Sequence, residues 1–288
     1  MTQWRRRRLW TSLSAAALLS PTVAMGHDQG AVDVDAPLSH MADMAAAPLA
    51  IAQGGEGGEG GEGGEGGEGG EAGVDPERAA RDPIAYLIAL DVIRAHYLAG
   101  IGAYRAGNAE AAAEMFVHPI AEIYFDLEKI FASHDVRPFD GLMVRAGDHA
   151  FSKKPVPEVV AAAEAVLKAT EDAASHAPES DRSKAGVEAE VTADMIERAA
   201  LQYRLARAGD AGEAFLDGYG YFSAAAARAN AAKESIKAKD SRAWDKISAA
   251  LDLLGKAYPN AERLAENGPE PAALLAASSR VALAVGGL

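Results

Sequence analysis

The residues after position 82 are almost all good helix formers, which restricts this chain to an all-α fold. Alanine is abundant, runs of β-branched residues are absent, and glycine and proline stand between the periodic apolar segments. Asp82 and Pro83 form a helix start, an N-cap followed by proline at the first helical position. We predict helices at residues 83–106, 109–132, 157–176, 187–208, 211–237, 241–257 and 271–284, with 134–155 as the longest irregular connection.

Two of the predicted helix pairs share a short sequence pattern. The turn Arg-Ala-Gly-Asn at 105–108 reappears as Arg-Ala-Gly-Asp at 207–210. Residues 114–119 align with residues 213–218 when three residues after the first turn are omitted. In this alignment both copies have a helix breaker at the same position, Pro119 in the first and Gly218 in the second. We therefore predict a helical bundle over residues 82–288, built from two related antiparallel hairpins plus additional helices.

Two segments with different compositions precede this domain. Residues 1–24 contain four arginines, a short apolar run and small residues before a cleavage point, as a signal peptide does. Six Gly-Gly-Glu triplets follow Gln53, and glycine costs much backbone entropy to order. We expect residues 1–24 to be a cleaved signal peptide and residues 25–81 to be a disordered, acidic Gly-Gly-Glu linker.

The charge of the mature chain indicates its class of ligand. Removing residues 1–24 leaves 24 Lys and Arg against 42 Asp and Glu, a formal net charge of −18. Such a chain repels nucleic acid and attracts cations. With no cysteine, a metal must be held by nitrogen and oxygen ligands, which favours iron, manganese or zinc. We expect a periplasmic or secreted protein without membrane insertion after cleavage, because no later apolar stretch looks long enough to span a bilayer.

Three side chains around the first turn form a candidate metal site. His96 and His118 each lie eleven residues from Gly107, so in an antiparallel hairpin they lie at about the same height. Glu122 follows His118 by one helical turn. His96 falls on a face of small residues where another helix can approach closely, whereas His118 and Glu122 fall on the polar side of their helix. Secondary ligand candidates are Asp91, Tyr97, Glu114 and Asp126.

Other interpretations of this pattern stay open. The same residues could form a hydrogen-bonded polar layer without a metal, and Pro119 kinks the second helix so that the register on either side of it need not match. No nucleophile elbow, phosphate-binding glycine loop or His-Glu-x-x-His motif occurs. We therefore expect no enzymatic activity and no catalytic residues.

Short motifs in both hairpins resemble known exported proteins. Residues 207–210, then Ala214 and 217–219, resemble the Gly-Asp…Ala…Ala-Tyr pattern in the extracytoplasmic helical region of high-affinity iron permeases. The Gly-Gly-Glu tract followed by His118-Pro119 and Glu122-Ile123-Tyr124 is similar to uncharacterised exported helical proteins of Gram-negative bacteria. The permease's membrane helices and acidic iron-carrying motif are absent here. The resemblance implies periplasmic metal handling.

The sequence thus predicts an exported, non-enzymatic helical protein that binds a transition metal, with iron as the expected metal, in metal uptake or buffering. His96, His118 and Glu122 are the predicted ligands. A membrane transporter or another periplasmic protein is a candidate partner. The alternative is a structural or protein-interaction helical module without metal.

Overall fold

The computed structural model describes residues 74–209 and 212–288, and these residues contain helices and no strand, which confirms the all-α fold class. The helices belong to one compact unit, Gly61–Leu288. A π-helical turn, Ile120–Tyr124, separates α3 from α4. The α-helices are α1 (Pro76–Ala79), α2 (Pro83–Arg105), α3 (Ala109–Pro119), α4 (Phe125–Ser133), α5 (Asp140–Phe151), α6 (Val156–Ala174), α7 (Lys184–Ala208), α8 (Glu213–Lys239), α9 (Ser241–Ala257) and α10 (Pro271–Val285).

Two hairpins form the centre of the bundle, as predicted. Helix α2 packs against α3, and α7 packs along α8. The glycine at each turn, Gly107 and Gly209, adopts the positive φ that ends a helix without steric cost. Asn108 caps α3, its side chain accepting a hydrogen bond from the backbone N–H of Ala111. Because α2 also packs against α6, α7 and α8, it is the helix that joins the two hairpins.

Helix α2 is buried on nearly every side. Its large apolar side chains, among them Tyr86, Ile93 and Tyr97, lie in the core, and so does the small-residue face that carries His96. By length and composition alone α2 could cross a membrane, contrary to our expectation that no later stretch would qualify. The surrounding helices bury 78% of its most apolar window, as expected for the core helix of a bundle.

One local expectation was wrong, and the two predicted helix breakers differ in their effect. Residues 134–155 are not wholly irregular, because they contain α5, and its Gly147 lets Val117 of α3 approach closely. Helix α8 continues through Gly218, where the missing Cβ leaves room for the Tyr258 hydroxyl. The predicted helix 109–132 is interrupted after Pro119, which cannot donate a ladder hydrogen bond, and the chain widens there into the π-helical turn.

The N-terminal predictions lie largely outside the described residues. The signal peptide and the Gly-Gly-Glu repeats fall within residues 1–73. Residues 74–81, at the end of the predicted linker, contain α1, which Asp75 caps and whose Ala79 is fully buried. The helical part of the chain therefore begins before Asp82.

Candidate functional site

Helices α2 and α8 come unusually close to each other around Gly220. A Cβ atom at Gly220 would lie 2.4 Å from the carbonyl oxygen of Ala95, well inside normal contact. Small residues on both helices, including Ala99, permit this approach. This close approach brings His96, which follows Ala95 on α2, opposite the turn of α8 that precedes Gly220.

His96 is held in one orientation within this interface. The side chain is 6% exposed, and its Nδ1 lies 2.8 Å from the carbonyl oxygen of Val92, one turn earlier. A carbonyl oxygen only accepts hydrogen bonds, so Nδ1 carries the proton. The other ring nitrogen, Nε2, is then the lone-pair side of a neutral imidazole, which is how metal-binding histidines are usually oriented.

Nε2 of His96 faces the carboxylate of Asp217 on α8. The distance from Nε2 to Oδ1 is 3.8 Å, and the Asp217 side chain is 16% exposed. This separation is longer than a normal hydrogen bond. Two ligands that each bind one ion at about 2.0–2.2 Å can lie up to about 4.2 Å apart, so the pair can share a cation. It can equally form an ion pair if the imidazole is protonated.

A buried tyrosine and an arginine contact each other where α8 packs on α7. Tyr221 follows Asp217 by one turn of α8 and is 6% exposed. Burial raises the pKa of the Tyr221 phenol to about 12, a shift that Arg198 of α7 opposes and Asp217 reinforces. Arg198 places its guanidinium carbon 5.8 Å from the centre of the Tyr221 ring. Its Nε also donates to Asp194 at 2.6 Å.

Aromatic side chains pack around the turn of α8 that carries Asp217. The Tyr258 hydroxyl donates a hydrogen bond to the carbonyl oxygen of Ala199 at 2.9 Å and occupies the space above Gly218. Phe215 and Phe222 of α8 stack against the Tyr258 ring. Burial, followed by the effects of Tyr203 and Asp217, raises the pKa of Tyr258 above its ordinary value. These contacts fix the turn of α8 that carries Asp217.

His118 and Glu122, the other two predicted ligands, lie on the far arm of the first hairpin. His118 is half-buried near the end of α3 and lines a cavity of about 530 Å³. Glu122 is half-buried within the π-helical turn. The cavity is lined by Asn108, Ala111, Glu114, Met115, His118, Gly212, Phe215, Leu216, Ala261 and Glu262.

Within residues 74–209 and 212–288, no three or more His, Cys, Asp or Glu side chains form a group that could hold a metal ion. His96, His118 and Glu122 are therefore not gathered into one such group here, and metal binding by these three residues stays a prediction. What the structure does bring together is His96 and Asp217. A signal for Asp217 exists in the sequence, because the alignment of the two hairpins places it opposite His118.

The secondary candidate Asp91 belongs to a different polar cluster. It is 1% exposed, and Arg228 donates to both its carboxylate oxygens, with Nη2 to Oδ1 at 2.8 Å. Arg228 also donates through Nη1 to Glu188 of α7 at 2.5 Å, and Arg94 lies 3.5 Å from Asp91. Ion pairs thus occupy Asp91 in a structural role that ties α2, α7 and α8 together.

The remaining secondary candidates are dispersed. The Tyr97 hydroxyl donates to the carbonyl oxygen of Phe116 at 2.9 Å, deep in the core. Asp126 is exposed, and Glu114 lines the cavity beside His118.

The chain matches no protein-family model, no curated protein and no solved structure. Fold and site together define an all-α bundle with a buried histidine–aspartate pair between its two hairpins.

Proposed function

We propose that this protein is an exported, non-enzymatic helical bundle that binds a transition metal, with iron as the expected metal, in metal uptake or buffering. The observation that carries the proposal is the pair His96 and Asp217, with Nε2 and Oδ1 separated by 3.8 Å at a helix interface. An anchored imidazole and a carboxylate form a nitrogen–oxygen donor set that suits iron, manganese or zinc.

The surroundings support a cation at this position. The Val92 carbonyl oxygen fixes the proton on Nδ1, so a neutral His96 directs a lone pair towards a carboxylate. A positive charge between a ring-nitrogen lone pair and a carboxylate is stabilised at low local dielectric. A metal ion or a proton can supply that charge, and the formal charge of −18 expected for the mature chain raises the local concentration of cations.

One set of observations favours the alternative, a protein-interaction module without metal. Val117, Val144, Phe151 and Val156 are large apolar side chains that remain exposed on α3, α5 and the start of α6. Exposed apolar residues on packed neighbouring helices are typical of a docking surface, and Val117 of α3 lies against Gly147 of α5. In this alternative, the pair formed by His96 and Asp217 is an ion pair that specifies helix packing.

Metal titration of the purified chain separates these functions. Fe(II) under anaerobic conditions, Mn(II) and Zn(II) are each titrated by calorimetry into the wild type, His96→Ala, Asp217→Asn and His176→Ala. The matched control, His176, is exposed just after α6. We expect the variants at His96 and Asp217 to bind at least about tenfold more weakly, and His176→Ala to bind like the wild type.

Further variants test the ligand set predicted from the sequence. If His118 and Glu122 also bind the ion, His118→Ala and Glu122→Gln weaken binding as His96→Ala does. Unchanged binding in the double variant His96→Ala with His118→Ala would show that the ligands lie elsewhere. A wild type that binds no metal more tightly than about 1 mM would exclude the metal function and leave the interaction module.

A further inference from the structure

A second cavity, of about 410 Å³, lies where α2, α7 and α8 meet the connection between α6 and α7. Small-molecule sites in proteins commonly have volumes of about 300–1,000 Å³ and combine apolar walls with a few polar groups. Leu87 and Val187 contribute apolar lining here, and Arg228 and Glu188 contribute charged lining. The lining includes neither residue of the proposed metal-binding pair, so this cavity is a separate candidate site.

The charged lining has hydrogen-bonding capacity of both signs left for a ligand. Among the described residues, Arg228 donates two of its five N–H groups to Asp91 and one to Glu188, with Nη1 lying 2.5 Å from Oε2. Glu188 accepts this bond through one oxygen, and a carboxylate has about four acceptor positions. A guanidinium that can donate and a carboxylate that can accept therefore lie side by side at the cavity.

The charges around the cavity balance one another. Arg182 and Lys184 are the other cationic side chains of the lining. Arg182 donates to Glu190 through Nη1 at 2.8 Å, and Arg228 is paired with two carboxylates. Three cations thus lie among three carboxylates. A ligand with a net charge would bring an uncompensated charge into a partly buried site, whereas a ligand with one positive and one negative group would not.

We propose that this cavity binds a free α-amino acid with an apolar side chain. The ligand carboxylate accepts from Arg228 and Lys184, the ligand ammonium donates to Glu188, and the ligand side chain lies against Leu87 and Val187. An α-amino acid carries its two charged groups on one carbon, so they can lie antiparallel to the ion pair of Arg228 with Glu188, each beside its opposite. This function goes beyond metal binding and does not depend on it.

Three probes that differ in charge test the inference. L-Leucine, L-leucinamide, which lacks the carboxylate, and N-acetyl-L-leucine, which lacks the ammonium, are each titrated by calorimetry into the full chain. We expect leucine to bind with a Kd below about 1 mM. Each analogue should bind at least about tenfold more weakly, because one charged group of the site then has no partner in the ligand. Glycine, without an apolar side chain, should also bind at least about tenfold more weakly.

Two variants change the preference among these probes in opposite ways. Glu188→Gln keeps the shape of the side chain and removes its charge, so we expect weaker binding of leucine and tighter binding of N-acetyl-leucine than in the wild type. Lys184 is exposed at the start of α7, so Lys184→Gln should leave the fold intact. We expect it to weaken leucine and N-acetyl-leucine by about two- to fivefold and to leave leucinamide unchanged.

Lys168→Gln is the matched control, because Lys168 is an exposed cation of α6 outside the cavity lining, and it should bind all probes as the wild type does. Absence of leucine binding, or equal binding of leucine and both analogues, would overturn the inference. Unchanged affinities in both Glu188→Gln and Lys184→Gln would also overturn it, because leucine would then bind elsewhere. Thermal melting of each variant shows that the affinities compare folded proteins.

Discussion

Replacing Gly220 by alanine tests whether α2 and α8 are as close as the structure shows. The added Cβ would lie 2.4 Å from the Ala95 carbonyl oxygen and 2.8 Å from its carbonyl carbon. Close carbon–oxygen contacts between helices have separations of about 3.3 Å or more, so the new Cβ falls about 0.9 Å short. The atoms it meets are backbone atoms, which cannot rotate away as a side chain can. The two helices must therefore move apart.

The expected cost follows from two opposing effects. Overpacking of a helix interface typically costs about 1–3 kcal/mol, and a rigid backbone clash belongs at the upper end of that range. Alanine in a helix interior regains about 0.5–1 kcal/mol relative to glycine. We therefore expect Gly220→Ala to lower the free energy of unfolding by about 2 kcal/mol. For a domain of this size the melting temperature falls by about 4–8 °C.

Gly255→Ala is the matched control for this prediction. Gly255 lies inside α9, and a Cβ there would meet only Phe222 at 3.6 Å, an ordinary van der Waals contact. The helix-propensity gain should appear without a clash, so we expect this variant to be more stable by about 0.5–1 kcal/mol. Urea unfolding followed by far-UV circular dichroism measures both variants under the same conditions.

Metal affinity provides a second measurement on Gly220→Ala. Because Ala95 directly precedes His96, separating α2 from α8 also separates His96 from Asp217, and metal affinity should fall with stability. If Gly220→Ala is as stable as the wild type, or is stabilised as much as Gly255→Ala, the close approach of α2 and α8 is refuted, along with the geometry of the pair.

Two further predictions concern the core. Asp91→Ala leaves the buried Arg228 without its bidentate partner, and we expect it to lower the free energy of unfolding in urea by about 3–5 kcal/mol. The control Asp172→Ala breaks only the exposed ion pair with Lys168 and should lower the free energy of unfolding by less than about 0.5 kcal/mol. Equal losses in the two variants would contradict the buried network. Burial raises the pKa values of the Tyr86 and Tyr221 phenols to about 12. Their contribution to stability is therefore fully present below pH 10 and is lost as the pH rises through 12. The measurement is tyrosinate absorbance as a function of pH, and an absorbance below about pH 11 equal to that of the unfolded chain would contradict the prediction.

Much of the local structure of this protein could be predicted from the sequence. The starts of α2 and α10, the capping of α3 by Asn108 and the positive φ at Gly107 follow from interactions between residues at most a few positions apart. Glycine was less informative inside helices. Gly147 and Gly218 look like helix breakers in the sequence, but in the bundle they make room for Val117 and Tyr258.

The candidate site could be predicted only in part. The small-residue face of α2 correctly indicated that His96 would be enclosed. Symmetry about Gly107 then suggested His118 as its neighbour, but the side chain that faces Nε2 is Asp217 of the other hairpin. Helical periodicity states which face of a helix a residue occupies, and it does not state which helix will cover that face.

The sequence by itself determined the helical content, the turns and the caps, because propensity and capping depend on contacts within one or two turns of chain. Only the tertiary structure decided that α2 would lie against α8 and that His96 would face Asp217. Which helices pack together depends on where their backbones can approach most closely. The close contact between Gly220 and the Ala95 carbonyl group forms only when both helices have packed, so it cannot be predicted from either helix alone.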